Sequence, residues 1–327
     1  MDWNHQTVLV TGGGGFIGSH LVERLVALGA RTRALVRYNS ANSSGWLDTS
    51  PVKGEVEVTL GDICDQDTLR PAMEKVDIVF HLAALIAIPY SYHAPRSYMR
   101  TNVEGTLNVL QGAMEFGAKL VVHTSTSEVY GTARYVPIDE DHPLQGQSPY
   151  SASKIGADKL AEAFHLSFGL PIATIRPFNT FGPRQSARAV IPTIITQALT
   201  QPVVQLGNQQ PTRDFNYVTD TVEAFIRIAE CPEAVGGVTN IGTGQDVAIG
   251  DLASTILNLV GQDKKIISDD KRVRPEKSEV DRLCASNKKA REMLGWRPQV
   301  TLKDGLVRTI EWMEKHLEQY RPGTYTL

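Results

Sequence analysis

A short apolar run over residues 7–10 gives way to Thr11-Gly12-Gly13-Gly14-Gly15-Phe16-Ile17-Gly18, and then to leucines at 21, 25 and 28 that stop at Gly29. The run reads as a strand and the leucine spacing as a helix over 19–28. Strand, glycine turn and helix form the one context in which the spacing Gly12, Gly15, Gly18 carries meaning. Gly12 permits the tight turn. Gly15 lets a pyrophosphate approach a helix N-terminus, where free N–H groups and the helix dipole favour anions. Gly18 lets helix and strand pack closely. A merely flexible glycine-rich loop is the bland alternative, and the flanking elements speak against it.

The same alternation continues. Strands are expected over 33–36, ending at Arg37-Tyr38, over 56–59, ending at Gly61-Asp62-Ile63, and over 76–81, ending at Leu82-Ala83-Ala84. A fifth covers 119–123 and a sixth 172–175. Helices are expected over 66–73 and 98–116, with Asn102 near the start of the second. Strands alternating with helices predict an α/β fold: a doubly wound parallel sheet with right-handed crossovers. Ligands of such sheets sit beyond the carboxyl ends of the strands, where Gly12, Arg37, Asp62, Ala83 and Ser125 all fall.

After residue 178 the alternation loosens. Helices are expected over 189–199, 218–229, 251–260, 288–294 and 302–320, and strands over 203–206 and 238–241. These predict a smaller carboxy-terminal α/β lobe. The dinucleotide-binding domain is expected over 1–178 with an interleaved 215–245, and the lobe over 179–214 and 246–327. The Tyr325-Thr326-Leu327 end is expected to fray.

The chain has 327 residues and a net charge of −3. That is length for one large or two modest domains, with no basic surface for nucleic acid or anionic membrane. Cys64, Cys231 and Cys284 are scattered, without a CxxC pair, which argues against disulfides or a zinc site and for a reducing compartment. With no signal peptide and no apolar run long enough to cross a bilayer, the reading is a soluble cytoplasmic protein.

Chemistry concentrates in His123-Thr124-Ser125-Thr126-Ser127-Glu128-Val129-Tyr130-Gly131 and in Pro149-Tyr150-Ser151-Ala152-Ser153-Lys154. Tyr150 and Lys154 stand four apart, on one face of a helix. A phenol beside an ammonium can serve as an oxygen base, because the positive charge favours the phenolate. His81 reads as a packed residue at a strand end, and His123 has no partner visible in the sequence.

TGGGGFIG, GDICD, HLAAL, TNVEGT, STSEVYG, PYSASK, RPFNTFGP, RDFNYV and RPEKSEV occur in the order found in the extended short-chain dehydrogenase/reductases that modify nucleotide sugars, and the chain resembles that family nearly end to end. Thr126-Ser127-Glu128 is similar to the GDP-mannose 4,6-dehydratases. Residues 84–92, with Tyr38-Asn39-Ser40 and Gly45-Trp46-Leu47-Asp48, are similar to nucleotide-N-acetylglucosamine dehydratases of legionaminic-acid pathways. The resemblance implies a homodimer through a four-helix bundle using the helices near Tyr98 and Tyr150. It implies an NAD(P) site against Gly12, Gly15, Phe16, Ile17, Gly18, Arg37, Asp62, Ile63, Leu82, Ala83, Ala84, Asn102, Ser125, Tyr150, Lys154 and Pro177. Arg37, where an acidic residue would read the NAD ribose, leans the choice towards NADP.

What the resemblance implies for chemistry is a 4,6-dehydratase acting on a UDP- or GDP-linked N-acetylglucosamine or on GDP-mannose. Tyr150 takes the 4-hydroxyl proton, Lys154 keeps its pKa low and binds the nicotinamide ribose, and Thr126 steadies the 4-oxygen. Glu128 removes the C5 proton, and Ser127 or a water it holds protonates the leaving 6-hydroxyl. Asn179 and Leu206 contact the sugar nucleotide, and Arg213, Arg274 and Arg188 are the candidate diphosphate clamps, for which a surface ion pair is the alternative. STSEVYG also occurs in UDP-glucuronate decarboxylases, so a decarboxylase or a 4-epimerase stays open, as does an NADP-sensing module without turnover.

Overall fold

A computed structural model describes residues 1–320; the expected fraying at Tyr325-Thr326-Leu327 lies outside the described residues. The strands are β1 (Thr7–Thr11), β2 (Arg31–Arg37), β3 (Glu57–Gly61), β4 (Ile78–His81), β5 (Leu120–Thr124), β6 (Ile172–Pro177), β7 (Asn179–Phe181), β8 (Val204–Leu206), β9 (Thr212–Tyr217), β10 (Val238–Ile241), β11 (Asp246–Ala248), β12 (Ile266–Ser268) and β13 (Arg282–Leu283). Between them run α1 (Phe16–Ala27), α2 (Gln66–Met73), α3 (Ile88–His93), α4 (Pro95–Tyr98), α5 (Gly105–Glu115), α6 (Pro149–Phe168) and α7 (Val190–Thr200). α8 (Val218–Ala229), α9 (Ile249–Val260), α10 (Lys288–Leu294) and α11 (Leu302–Lys315) complete the chain as described.

Seven strands form one parallel sheet in the order β10-β6-β5-β4-β1-β2-β3. The order reverses between β1 and β4, which opens a crevice beyond their carboxyl ends. The middle strands carry Val8, Val10, Phe80, Val122 and Ile175 into one apolar layer, and Leu9, Val79, Val121 and Ile172 into the other. Both faces are covered by helices, as a doubly wound sheet requires. The remaining strands make a four-stranded sheet, β11-β9-β13 with β7 added on β9, and a two-stranded pair, β12-β8. Because β9 belongs to the four-stranded sheet, the expected seam at residue 215 falls inside a strand.

Expected bounds shift in several elements, the helix expected over 302–320 ending at Lys315, and two changes bear on the site. α1 begins at Phe16, not residue 19, so Gly18 lies inside the helix, where a Cβ would overlap the Gly12 carbonyl oxygen. The single helix expected over 98–116 is interrupted by a π-helical stretch, Met99–Glu104. Its cause is tertiary. Buried Asn102 reaches sideways to accept from Leu85 N at 2.9 Å and to donate to Leu85 O at 3.0 Å and Ser153 Oγ at 2.9 Å. A widened turn of this kind is how a helix turns one side chain out of its regular direction.

Candidate active site

α6 begins on a capping box: Ser148 Oγ accepts from Ser151 N at 3.1 Å, and Ser151 Oγ accepts from Ser148 N at 2.9 Å, with Pro149 at the first helical position. That fixes the start of the helix and turns Tyr150 and Lys154 inward, 7% and 4% exposed. The Tyr150 ring packs edge-on to Tyr98 at 6.2 Å. β5 runs into a tight turn, Ser127–Tyr130, capped by Thr126, whose Oγ1 accepts from Glu128 N at 3.3 Å. The turn buries both Ser127 and Glu128. Thr126 also hydrogen-bonds the Tyr150 hydroxyl, and the Glu128 charge acts on both Tyr150 and Arg213. The structure therefore brings Thr126, Glu128, Tyr150 and Lys154 to one place.

The electrostatics differ from the sequence argument. Burial pushes the Tyr150 phenol well above its usual range; the Thr126 hydrogen bond opposes this and the Glu128 charge adds to it. Burial also brings Lys154 itself down to about 8, and its Nζ donates to Thr124 O at 2.6 Å. The desolvation of two groups packed wholly inside the protein outweighs their mutual help.

Around the crevice, no side chain caps the first turn of α1, so its N–H groups are open to an anion. Phe16 and Ile17, half-buried, form that turn. Gly12 (φ +73°) crosses against Ala83, with Leu82 N bonded to Thr11 O and Ala83 N to Thr11 Oγ1. Ala84 follows, half-buried. Arg37 is exposed at the end of β2. Asp62 Oδ1 accepts from Cys64 N, and Ile63 is buried against Gly105. Pro177 is buried at the end of β6. Thr124 Oγ1 and Asn179 Oδ1 are buried without a hydrogen-bond partner. An uncapped glycine turn with unsatisfied polar atoms nearby fits a dinucleotide.

On the other wall, Arg213 is 5% exposed and its Nη2 lies 3.5 Å from Glu279 Oε1, which Arg274 Nη1 also approaches at 3.3 Å. Two guanidinium groups thus converge on one carboxylate oxygen. Arg188 is exposed, and its charge acts on Tyr98. Leu206 is a core residue, 3% exposed, and its carbonyl accepts from Asp269 N.

Glu279 and Asp158 went unseen in the sequence, while His81 is packed at its strand end as expected. Glu279 joins the two arginines. His81 sits neutral between Thr11 Oγ1 at 2.8 Å and Thr106 Oγ1 at 3.0 Å, its pKa pulled well below the usual value by burial. His123, without a visible partner in the sequence, meets Asp158. Asp158 follows Lys154 by four residues, the same helical spacing that linked Tyr150 to Lys154, so that signal was present.

Residues 9–309 match the family described as GDP-mannose 4,6 dehydratase. The chain is 34% identical to the UDP-glucose 4-epimerase of Mycolicibacterium smegmatis over 311 residues, 93% of this chain and 97% of that one. It is equally 34% identical to the dTDP-glucose 4,6-dehydratase of Streptomyces griseus over 320 residues, 96% of each. Among solved structures, the dTDP-glucose 4,6-dehydratase DesIV of Streptomyces venezuelae, with NAD and TYD bound, superposes with a TM-score of 0.88 at 31% identity, covering 97% of this chain and 99% of that one.

Proposed function

The chain belongs to the GDP-mannose 4,6 dehydratase family of the extended short-chain dehydrogenase/reductases, and from that premise we propose that it is a nucleotide-sugar 4,6-dehydratase that makes a 4-keto-6-deoxy sugar. Its substrate is a UDP- or GDP-linked N-acetylglucosamine, or GDP-mannose. The reading rests on Glu128. A carboxylate carried in the same turn as Thr126, and acting electrostatically on Tyr150, is a second base beside the first. Epimerisation at C4 has no use for one.

Tyr150 removes the proton of the 4-hydroxyl. It does so against burial, and what this chain sets against that is the Thr126 hydrogen bond. The bound nicotinamide dinucleotide supplies the acceptor for the C4 hydride and its donor back to C6. Once C4 is a ketone, the C5 proton is acidic enough for a carboxylate, and Glu128 takes it. Ser127, buried beside Glu128, holds or passes the proton that leaves with the 6-hydroxyl as water. Arg213 and Arg274 grip the diphosphate in place of Glu279, since the guanidinium fork suits phosphate. Asn179 Oδ1, unsatisfied now, takes a hydroxyl of the substrate. Arg37 selects the 2′-phosphate of NADP. The substrate is held by segments 179–214 and 246–327, the dinucleotide by the rest, and two copies pair through α5 and α6.

Mass settles the reaction class. The purified protein is incubated with UDP- and GDP-linked glucose, mannose, N-acetylglucosamine and glucuronate. A product lighter by one water supports the dehydratase. Loss of carbon dioxide means a decarboxylase, and turnover without mass change means an epimerase; either without water loss ends this reading.

A further inference from the structure

On α6, one buried carboxylate collects three polar side chains, His123, Ser125 and Arg176. Asp158 stands one helical turn past Lys154 on α6, with about 5–6 Å between Cβ atoms expected at that spacing, and is 6% exposed. Its Oδ1 accepts from His123 Nε2 at 3.0 Å. Its Oδ2 accepts from Ser125 Oγ at 2.6 Å and from Arg176 Nη2 at 3.0 Å and Nε at 3.3 Å. Arg176 also donates to the Tyr130 hydroxyl at 2.9 Å, and Tyr130 to Asn240 Oδ1 at 2.8 Å. One side chain on the helix of Tyr150 and Lys154 therefore fastens β5, β6 and the turn that carries Thr126 and Glu128.

The charges around Lys154 make that carboxylate matter. Tyr150 and Asp158 share its helix, and its charge acts on His123 of β5 and His81 of β4, while Arg176 of β6 pairs with Asp158 and Glu128 of the turn acts on Tyr150. Burial holds both histidines neutral at working pH. His123 donates from Nε2, which leaves its Nδ1 as the bare, unpartnered nitrogen. The hydrogen bond of Lys154 goes to a neutral carbonyl. The group that favours its charged form is Asp158.

We propose that Asp158 is a positioning residue for the Tyr150–Lys154 pair: its carboxylate holds the strand end bearing Ser125, Thr126 and Glu128 against α6 and keeps the Lys154 ammonium charged. The inference rests on that pair being the base of the proposed reaction, but it holds for any turnover that begins by oxidising C4, dehydration or not.

Asp158→Asn is tested against pH, with hydride transfer followed by the absorbance of the reduced dinucleotide. Without the carboxylate, Lys154 loses its proton at lower pH, and Tyr150, relieved of a like charge, ionises at lower pH too. The whole active window moves to acid by about one unit or more, the shift a nearby charge produces, so that at a fixed pH on its alkaline limb the rate falls by about tenfold. Ser125→Ala, which loosens the clamp and keeps the charge, lowers the rate without moving the window. Asp158→Asn can fail to fold, since it strands Arg176. The double variant Asp158→Asn/Arg176→Gln removes both charges together and is the foldable test of the same displacement. A window unmoved in whichever of the two folds overturns the proposal. Oxidised-dinucleotide affinity measured against pH needs no sugar. A displaced affinity profile with no sugar nucleotide dehydrated sinks the dehydratase reading and leaves this one standing; dehydration with an undisplaced profile does the reverse.

Discussion

Gly12→Ala separates two costs that coincide at the turn after β1. Gly12 lies at φ +73°, and a Cβ there would stand 3.0 Å from both N and Cα of Ala83 and 3.3 Å from Leu82 C. All three are backbone atoms, so no side chain can rotate away. A left-handed alanine costs about 1–2 kcal/mol, of which about 0.4–1 kcal/mol returns through a stiffer unfolded chain. Forcing the two backbones apart by a few tenths of an ångström adds about 1–3 kcal/mol. Gly169, the C-cap of α6, is the internal control: its φ is +68° and its Cβ would meet nothing within 4 Å. Gly169→Ala therefore loses about 1 kcal/mol and Gly12→Ala about 2–4 kcal/mol, read from urea unfolding of both variants. Only Gly12→Ala moves groups that face the dinucleotide. Its affinity for NADPH or NADH, by fluorescence titration, weakens at least about tenfold, in line with the steep cost of sub-ångström misplacement, while Gly169→Ala binds as the parent does. Equal stability losses at the two sites, with unchanged dinucleotide binding at both, would refute the account of this turn.

Glu128→Gln keeps hydride transfer but lowers overall turnover by about 10²–10⁴-fold, and stops exchange of the C5 hydrogen with deuterated solvent; persistent exchange means another base. Arg37→Glu weakens NADPH about tenfold or more through one lost charged hydrogen bond and spares NADH; parallel titrations show whether the two cofactors part. His20, with its Nε2 against Pro183 O at 3.2 Å, is brought down to about 4 by burial, with Arg184 adding to the effect. Its folded pKa lies below its unfolded one, so between about pH 6.5 and 4 the unfolded chain takes up a proton that the native state refuses. Stability then falls as pH falls, by about 1–2 kcal/mol after allowance for partial exposure. His20→Gln removes that portion, and its urea midpoint changes less between pH 7 and pH 4.5 than the parent's; identical slopes rule His20 out.

Some elements were legible to the residue and others not at all, and the division is physical. α2, α8, α10 and β10 fall where spacing puts them, because each buries one stripe or run against a large neighbour and needs no further information. The central strands differ from expectation only at their ends. β7, β11 and β13 are two or three residues long and exist only by pairing with β9 or its neighbours, so no local period marks them. The π stretch at Met99–Glu104 follows from Asn102 bonding Leu85 and Ser153, contacts 17 and 51 residues away. The site divides in the same way. Spacing along one helix brought Tyr150 to Lys154, and could have added Asp158. It could not place Glu279 between Arg213 and Arg274, since no helix or strand repeat links those three.

Protonation state was the part least open to sequence reasoning. In the sequence, an ammonium beside a phenol reads as a fixed bonus to the phenolate. Both groups, however, are packed out of water, and burial opposes the charge on each: it drives the tyrosine up and brings the lysine down to about 8. A neighbouring charge moves both members of a pair so placed in the same direction along the pH scale. Here that charge is Asp158, itself held at about 2 because the His123 hydrogen bond and the charges of Arg176 and Lys154 outweigh its burial. The acidity of the motif is thus set one helical turn and two strands away from it. A chain that kept Tyr150 and Lys154 but lost the anion behind them would retain every visible mark of the reaction and work over a more acidic range.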